Sequence, residues 1–296
     1  MATLALSIWL LCRELHALSI EDLRQSLSAI KPHAWAASVG AAFAAYAFLA
    51  AYDHLGLRHL GKRIDPVFVT ICAAATYAFS HTIGASIFSG AVLRYRAYTS
   101  KGLNGTDVAA LVGFCTFSFV LGVAIVLGVI FIADPFIIDR FVDVFPLDIS
   151  SAPGRILVGS AAIYLICSLL PFRGVRLGSF TFAYPSFTTA LLQIVVAAAE
   201  LVCAAMVLYF ALPAAGNPGL MTVTGVFVLS FCAAMISHSP GGLGVLELLV
   251  LTGLPEMAMP DVLAALLVFR LFYFIFPLIA ITVFEIRRQE PRSHRT

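Results

Sequence analysis

Several ionisable side chains stand among apolar neighbours, and their types suit the binding of charged groups such as a phosphate or a carboxylate. Glu200 sits between Ala199 and Leu201, 13 residues into the apolar run 187–212, which is about 20 Å along a helix. Arg270 lies 9 residues after Asp261, in Val268-Phe269-Arg270-Leu271-Phe272-Tyr273. Its planar fork of donors fits a phosphate or a carboxylate. Glu247 follows the break Ser237-His238-Ser239-Pro240-Gly241-Gly242-Leu243-Gly244 and falls in the second turn of a half-helix starting near Gly242. The first N–H groups of such a helix are unpaired and bind anions. Asp53, after Ala50-Ala51-Tyr52, ends a helix; an acid there opposes the dipole and needs a partner. Arg94 and Arg96 flank Tyr95 where another apolar run ends.

A charge at the centre of a membrane helix costs at least ~2.5–3.5 kcal/mol, so these groups pair with one another or line a wet path. For each, both readings stay open. Glu200 lines a path or pins two helices through an arginine. Arg270 takes a ligand or forms a salt bridge to Glu200 or Glu247, and Glu247 binds cargo or accompanies the helix dipole. Arg94 and Arg96 bind cargo or anchor the interface. His81 and His238 relay protons or support the backbone freed at a broken hairpin turn.

The elements that hold these residues are membrane helices. The 296 residues are 61% apolar and 11% charged, with mean hydropathy +0.98; soluble domains average about 45–50% and about 25%. A soluble enzyme is excluded. The 18 basic and 16 acidic residues nearly cancel and give no sign of nucleic-acid binding. Cys12, Cys72, Cys115, Cys167, Cys203 and Cys232 stand singly, which argues against disulfides or a metal site. No cofactor is expected. The apolar start, Met1 to Leu11, lacks the basic flank and cleavage site of a signal peptide and reads as a shortened first helix.

Apolar runs cover 35–52, 66–93, 106–133, 154–172, 187–212, 220–254 and 261–284. Two are interrupted, at Ser80-His81-Thr82-Ile83-Gly84 and at the Pro-Gly-Gly break, with Ser-His pairs 157 residues apart. Paired broken segments in two halves mark transporters built from internal repeats. If each interrupted run is a re-entrant hairpin and the N-terminus is inside, inside segments hold 12 Lys/Arg and outside segments 5; single crossings give 9 and 8. The positive-inside rule favours hairpins. The outer loop Asp134 to Ser151, with four Asp and only Arg140 as a basic residue, agrees.

The expected fold is an all-α polytopic membrane protein of about 8 hydrophobic segments, with two broken hairpins related as an inverted repeat. It is a single membrane domain over 1–296, its first half about 35–155 broken near 80–90 and its second about 156–285 broken near 237–244. A basic cytoplasmic tail occupies 286–296.

Against this background the stretch Ser239-Pro240-Gly241-Gly242-Leu243-Gly244-Val245-Leu246-Glu247 resembles the signature of the lysylphosphatidylglycerol synthase/flippase membrane region and its stand-alone relatives. Phe269-Arg270-Leu271-Phe272-Tyr273 through Pro277 resembles that family's following helix. The segment from Tyr77 through Gly84 and Gly90 to Arg94, the pair Tyr52-Asp53, and Glu200 resemble further family positions. The likeness spans roughly 12–285. It implies lipid translocation, with Asp53, Arg94, Glu200, Gly241, Gly242, Glu247, Arg270 and Tyr273 along the path. His81 and His238 are not family expectations. Two-function members also carry a soluble aminoacyl-transferase domain. Nothing here matches it, the sequence closing on Arg287-Arg288-Gln289-Glu290-Pro291-Arg292, so synthesis is not expected.

The leading expectation is therefore a non-enzymatic, multi-pass inner-membrane flippase for an aminoacylated or otherwise modified phospholipid, with its C-terminus cytoplasmic. The alternative is an ion- or proton-coupled transporter of a small anion or lipid-linked intermediate, in which His81 and His238 are essential. Expected partners are membrane lipids; a separate lipid-modifying enzyme is compatible with the leading reading, as is a homo-oligomer.

Overall fold

The computed structural model describes residues 20–83, 86–141, 152–170, 175–177, 180–182, 184–237 and 239–281. The expected first helix at 1–11, His238, most of the acidic loop and the basic tail lie outside the described residues.

In chain order, α1 (Ile20–Ala29) leads into α2 (Pro32–His59), α3 (Pro66–Ile83), α4 (Ser86–Thr99) and α5 (Gly105–Ala133). A 3-10 turn (Ile137–Phe141) and α6 (Ala152–Cys167) precede a small antiparallel ribbon, β1 (Val175–Leu177) and β2 (Phe180–Phe182), with Arg176 opposite Thr181. Then come α7 (Phe187–Ala211), α8 (Leu220–Ile236), a 3-10 turn (Pro240–Gly242), α9 (Val245–Gly253) and α10 (Met259–Phe269). The last helix continues through a π-helical turn (Arg270–Ile275) to Ile281. Apart from the ribbon, the described architecture is helical. Four apolar helices, α2, α5, α7 and Met259–Ile281, are long enough to cross a membrane, and α6 and α8 are shorter apolar helices.

Local chemistry sets the ends. Pro32 and Pro260 open their helices, where a missing N–H costs nothing. At α5 the Asn104 side chain accepts the Asp107 N–H at 2.7 Å, while the Asp107 carboxylate accepts the Asn104 N–H at 3.3 Å, a reciprocal cap. Ser186 caps α7 by accepting the Thr189 N–H.

Two pairs of helices fold back on themselves. In the first, α3 and α4 run antiparallel: Arg94 lies over the Tyr77 ring at 4.7 Å and Tyr98 meets Phe68 at 6.1 Å. The arms approach so closely that a Cβ on Gly90 would fall 2.5 Å from Ser80 Oγ. In the second, α8 and α9 close on each other, with Gly253 against Val226 and Gly242 against Ala234. The second turn is made by glycines in left-handed backbone, Gly241 (φ 59°), Gly242 (φ 66°) and Gly244 (φ 82°), a region other residues enter at a cost.

Helix α7 is the hub, packing most extensively on α2 and also on α5, α8 and α10. Small residues permit this closeness: Ala45, Ala197 and Ala205 are fully buried, and Gly122 of α5 lies directly on the Ala197 backbone. A polar chain pins the outer helices, with Tyr164 Oη donating to Gln193 Oε1 at 2.5 Å and Gln193 Nε2 donating to Ser118 Oγ at 2.8 Å.

Three placements differ from the sequence expectation. Asp53 does not end its helix, because α2 continues to His59. Arg94 does not end the hairpin, because α4 continues to Thr99 and buries it, whereas Arg96 is exposed. Glu247 lies in the first turn of α9, not the second, because Gly242 and Gly244 keep the backbone left-handed up to Val245.

Candidate functional site

Asp53 is fully buried on α2 and collects three donor side chains from two other helices. Arg94 of α4 reaches it twice, Nε to Oδ2 at 3.1 Å and Nη2 to Oδ1 at 2.7 Å. Tyr98 Oη donates to Oδ2 at 2.8 Å, and Cys115 Sγ of α5 lies 3.5 Å from Oδ1. A charge so deep persists only when paired in good geometry, and this fork is bidentate.

Arg270 starts the π-helical turn of α10 and holds the glycine-rich turn. Its Nε donates to Glu247 Oε1 at 2.6 Å, its Nη2 is ion-paired with the same oxygen, and its Nη1 donates to the Gly241 carbonyl at 3.0 Å. The other Glu247 oxygen accepts the Gly244 N–H at 2.8 Å, capping α9. Glu247 thus serves the helix end and the arginine together. Of the two salt bridges open to Arg270 from sequence, Glu247 is the partner.

Glu200 is different. It is 2% exposed, yet its one hydrogen bond comes from a neutral group, Tyr273 Oη to Oε1 at 2.6 Å. Among the described residues no hydrogen-bond partner reaches Oε2. Tyr273 is itself held, since Tyr46 Oη donates to its carbonyl at 2.9 Å and the His81 ring stacks on it at 5.2 Å and 14°. The His81 Nδ1 and the Tyr52 hydroxyl are also buried without a hydrogen-bond partner among the described residues.

Tyr52, Tyr77, His81, Arg94, Glu200 and Tyr273 are among the residues that line one cavity of about 230 Å³, and Asp53, Glu247 and Arg270 do not line it. Its rim includes Val120 of α5, which is 53% exposed on the apolar outer surface. A smaller void of about 30 Å³ shares Ser80, His81, Phe231 and Met235 with it and extends to Ser239, Gly241 and Gly242. The two folded-back pairs meet here. A Cβ on Gly241 would lie 3.4 Å from the Thr82 carbonyl and 3.7 Å from that of His81.

The residues named from sequence therefore form three linked groups: Asp53 with Arg94, Glu247 and Arg270 with Gly241, and Glu200 with Tyr273. Tyr46, Tyr52, Tyr77, Tyr98 and Cys115 complete them; of these the sequence pointed only to Tyr52 and Tyr77, as positions resembling the family's, and named none as a site residue. The available signal was the tyrosine hydroxyl, which needs a partner inside an apolar helix. Among the described residues no cluster of His, Cys, Asp and Glu suits a metal.

The sequence pattern of the family described as the lysylphosphatidylglycerol synthase TM region matches residues 1–281. The chain belongs to this family. A stand-alone relative is slr0712 of Synechocystis sp., an uncharacterized protein, 29% identical over 274 residues that make up 92% of this chain and 85% of the relative. The Inner membrane protein YbhN of Escherichia coli is 26% identical over 82% of this chain and 76% of its own length. A Phosphatidylglycerol lysyltransferase of Staphylococcus haemolyticus is 37% identical over 83 residues, 27% of this chain and 10% of that enzyme. The chain is accordingly a multi-pass integral membrane protein of a family tied to lipid metabolism.

Proposed function

We propose that this protein moves the headgroup of a phospholipid, aminoacylated or otherwise modified, between the leaflets of the bacterial inner membrane. The observation that carries the reading is the meeting of two helical hairpins beside a cavity lined by Arg94 and Glu200, with the exposed Val120 among its lining residues. In this reading α3–α4 and α8–α9 are re-entrant and form an inverted pair, the first opening to the cytoplasm with the C-terminus and the second to the opposite side. The distribution of Lys and Arg supports that orientation. No synthesis is assigned to the chain; a separate enzyme supplies the modified lipid.

Residue roles follow from the pairing. Asp53 and Arg94 hold α2 to α4 as a fixed wall. Arg270 exchanges Glu247 for the lipid phosphate, which frees the glycine-rich turn from α10 and shifts the second hairpin. Glu200 faces the amine of the headgroup. The acyl chains remain in the bilayer, so only polar atoms need the cavity.

The test is a proteoliposome assay with lysylphosphatidylglycerol or phosphatidylethanolamine as a trace lipid, scored by the rate at which inner-leaflet amines become open to an impermeant reagent. Wild type accelerates the exchange, and Arg270→Ala abolishes it without loss of the folded protein. Full activity in Arg270→Ala defeats the phosphate role. Absence of acceleration in wild type defeats the translocation reading itself.

A further inference from the structure

Among the described residues three carboxylates are buried, at Asp53, Glu200 and Glu247. Two of them have an arginine. Glu200 has none; it lines the central cavity and its Oε2 is without a hydrogen-bond partner. Burying an ionised carboxylate without a cation is costly enough that such a group takes up a proton or a cation instead.

The surroundings narrow which cation. From α2, Tyr46 and Tyr52 face this region; from α3, Tyr77 and His81 do so. Arg94 of α4 is committed to Asp53, Cys115 of α5 lies against the same aspartate, and Tyr273 of α10 gives its proton to the hydrogen bond with Glu200. The lining residues from α8, Phe231 and Met235, carry no titratable group. On its own helix Cys203 is the nearest such neighbour. Among the described residues no basic side chain is free to neutralise Glu200. A hard metal ion needs about six oxygens, and this wall offers one carboxylate and a few hydroxyls. A proton needs only Oε2.

We propose that Glu200 is a proton-binding site whose occupancy alternates with that of the headgroup cation, making translocation a proton-for-lipid exchange. The proposal rests on the lipid reading above. One unpartnered oxygen serves a proton or an ammonium, not both. Moving one positive headgroup outward against a negative interior costs about 2.3 kcal/mol per 100 mV; returning a proton through the same site makes the cycle electrically neutral. This assigns proton handling to Glu200 and leaves His81 as a ring packed on Tyr273.

Two measurements test it. In the first, infrared difference spectra of the reconstituted protein are recorded across a pH titration, without any lipid gradient. The expected result is a protonated-carboxyl band that titrates in wild type and is missing in Glu200→Gln, a variant that preserves shape and can still accept the Tyr273 hydrogen bond. A spectrum identical in both proteins overturns the assignment. In the second, proteoliposomes carrying trace lysylphosphatidylglycerol are given a pH gradient at zero voltage. A one-for-one exchange lets the lipid distribution follow the gradient by up to about tenfold per pH unit, and Glu200→Gln abolishes that response. Wild type that moves lipid at a rate and to a distribution indifferent to pH overturns the exchange while leaving translocation intact. Wild type that moves no lipid at all, with Glu200 still titrating, overturns the translocation reading and the exchange with it.

Discussion

The two arginine–carboxylate pairs use the same chemistry for opposite mechanical ends. Arg94 and Asp53 are 6% and 0% exposed and join two regular helices, with Tyr98 and Cys115 filling the remaining carboxylate positions. Arg270 and Glu247 are 13% and 10% exposed and join a π-helical turn to a turn of left-handed glycines. In the first pair both side chains are held from several sides, Asp53 by the Tyr98 hydroxyl and Arg94 over the Tyr77 ring. In the second, Glu247 keeps its helix-capping bond to Gly244 even if Arg270 leaves. A saturated pair between rigid elements is a pin; a pair between two irregular segments is a latch.

The contrast is broken most severely at the pin. Removing one partner of a buried, hydrogen-bonded pair costs about 3–5 kcal/mol, so Asp53→Ala should lower the unfolding midpoint in detergent far more than any change at the latch. The double variant Asp53→Leu with Arg94→Met should recover part of that loss, because no lone charge is left behind. If Asp53→Ala unfolds no earlier than wild type, Asp53 is not a pin and belongs with the transport residues.

At the latch the expected order is reversed, with a large effect on transport and a smaller one on stability. Arg270→Met removes one ion pair and the bond to the Gly241 carbonyl, each hydrogen bond to a charged group contributing about 1.5–3 kcal/mol, while Glu247 retains its cap and, left without its arginine, is expected to take up a proton, which limits the loss. Gly241→Ala places a Cβ in left-handed backbone, at about 1–2 kcal/mol, and close to the Thr82 carbonyl. It should slow lipid exchange with only a modest shift in melting. A stability loss at Gly241 equal to that at Asp53 would erase the distinction between pin and latch.

Much of this was readable in the sequence because a membrane makes charge conspicuous. The apolar runs gave the long helices, and Arg270, Glu247 and Glu200 stood out against them. The Pro-Gly-Gly break is a local event, since its glycines carry their own backbone preference, and so it was legible. Which acid met which arginine was not, because Asp53 and Arg94 are brought together by the packing of α3 and α4 on α2 and no local rule encodes that. The same holds for Tyr273, whose bond to Glu200 depends on α7 lying beside α10. Asp53 was misplaced to a helix end because the apolar run stops at 52 while the helix continues to His59, its final turns carried by polar residues. The π-helical turn left no signature in residue type, and the amphipathic α1 fell inside a segment that charge counting treated as a loop.

A third arginine–carboxylate pair, at the loop level, gives the gentlest test of the comparison. Arg140, in the 3-10 turn after α5, donates to Glu256 Oε2 at 3.0 Å and to the Gly253 carbonyl at 3.1 Å, tying that turn to the loop between α9 and α10. The hydrogen bond from Arg140 holds the Glu256 carboxyl below its usual value. A carboxyl lowered by folding adds stability that is complete above its unfolded value and fades as the pH falls through the folded one. The melting temperature of wild type should therefore decline on acidification across and below the ordinary glutamate range slightly more than that of Glu256→Gln. Glu256 is 40% exposed at its side chain, so water and salt screen the pair, and the difference should shrink further in high salt. Unlike the pin, this pair can be lost without stranding a charge in the core. Unlike the latch, it touches no residue of the cavity, so Glu256→Gln should move lipid at the wild-type rate; a transport defect there would show that the far end of α9 shares in the motion of the second hairpin.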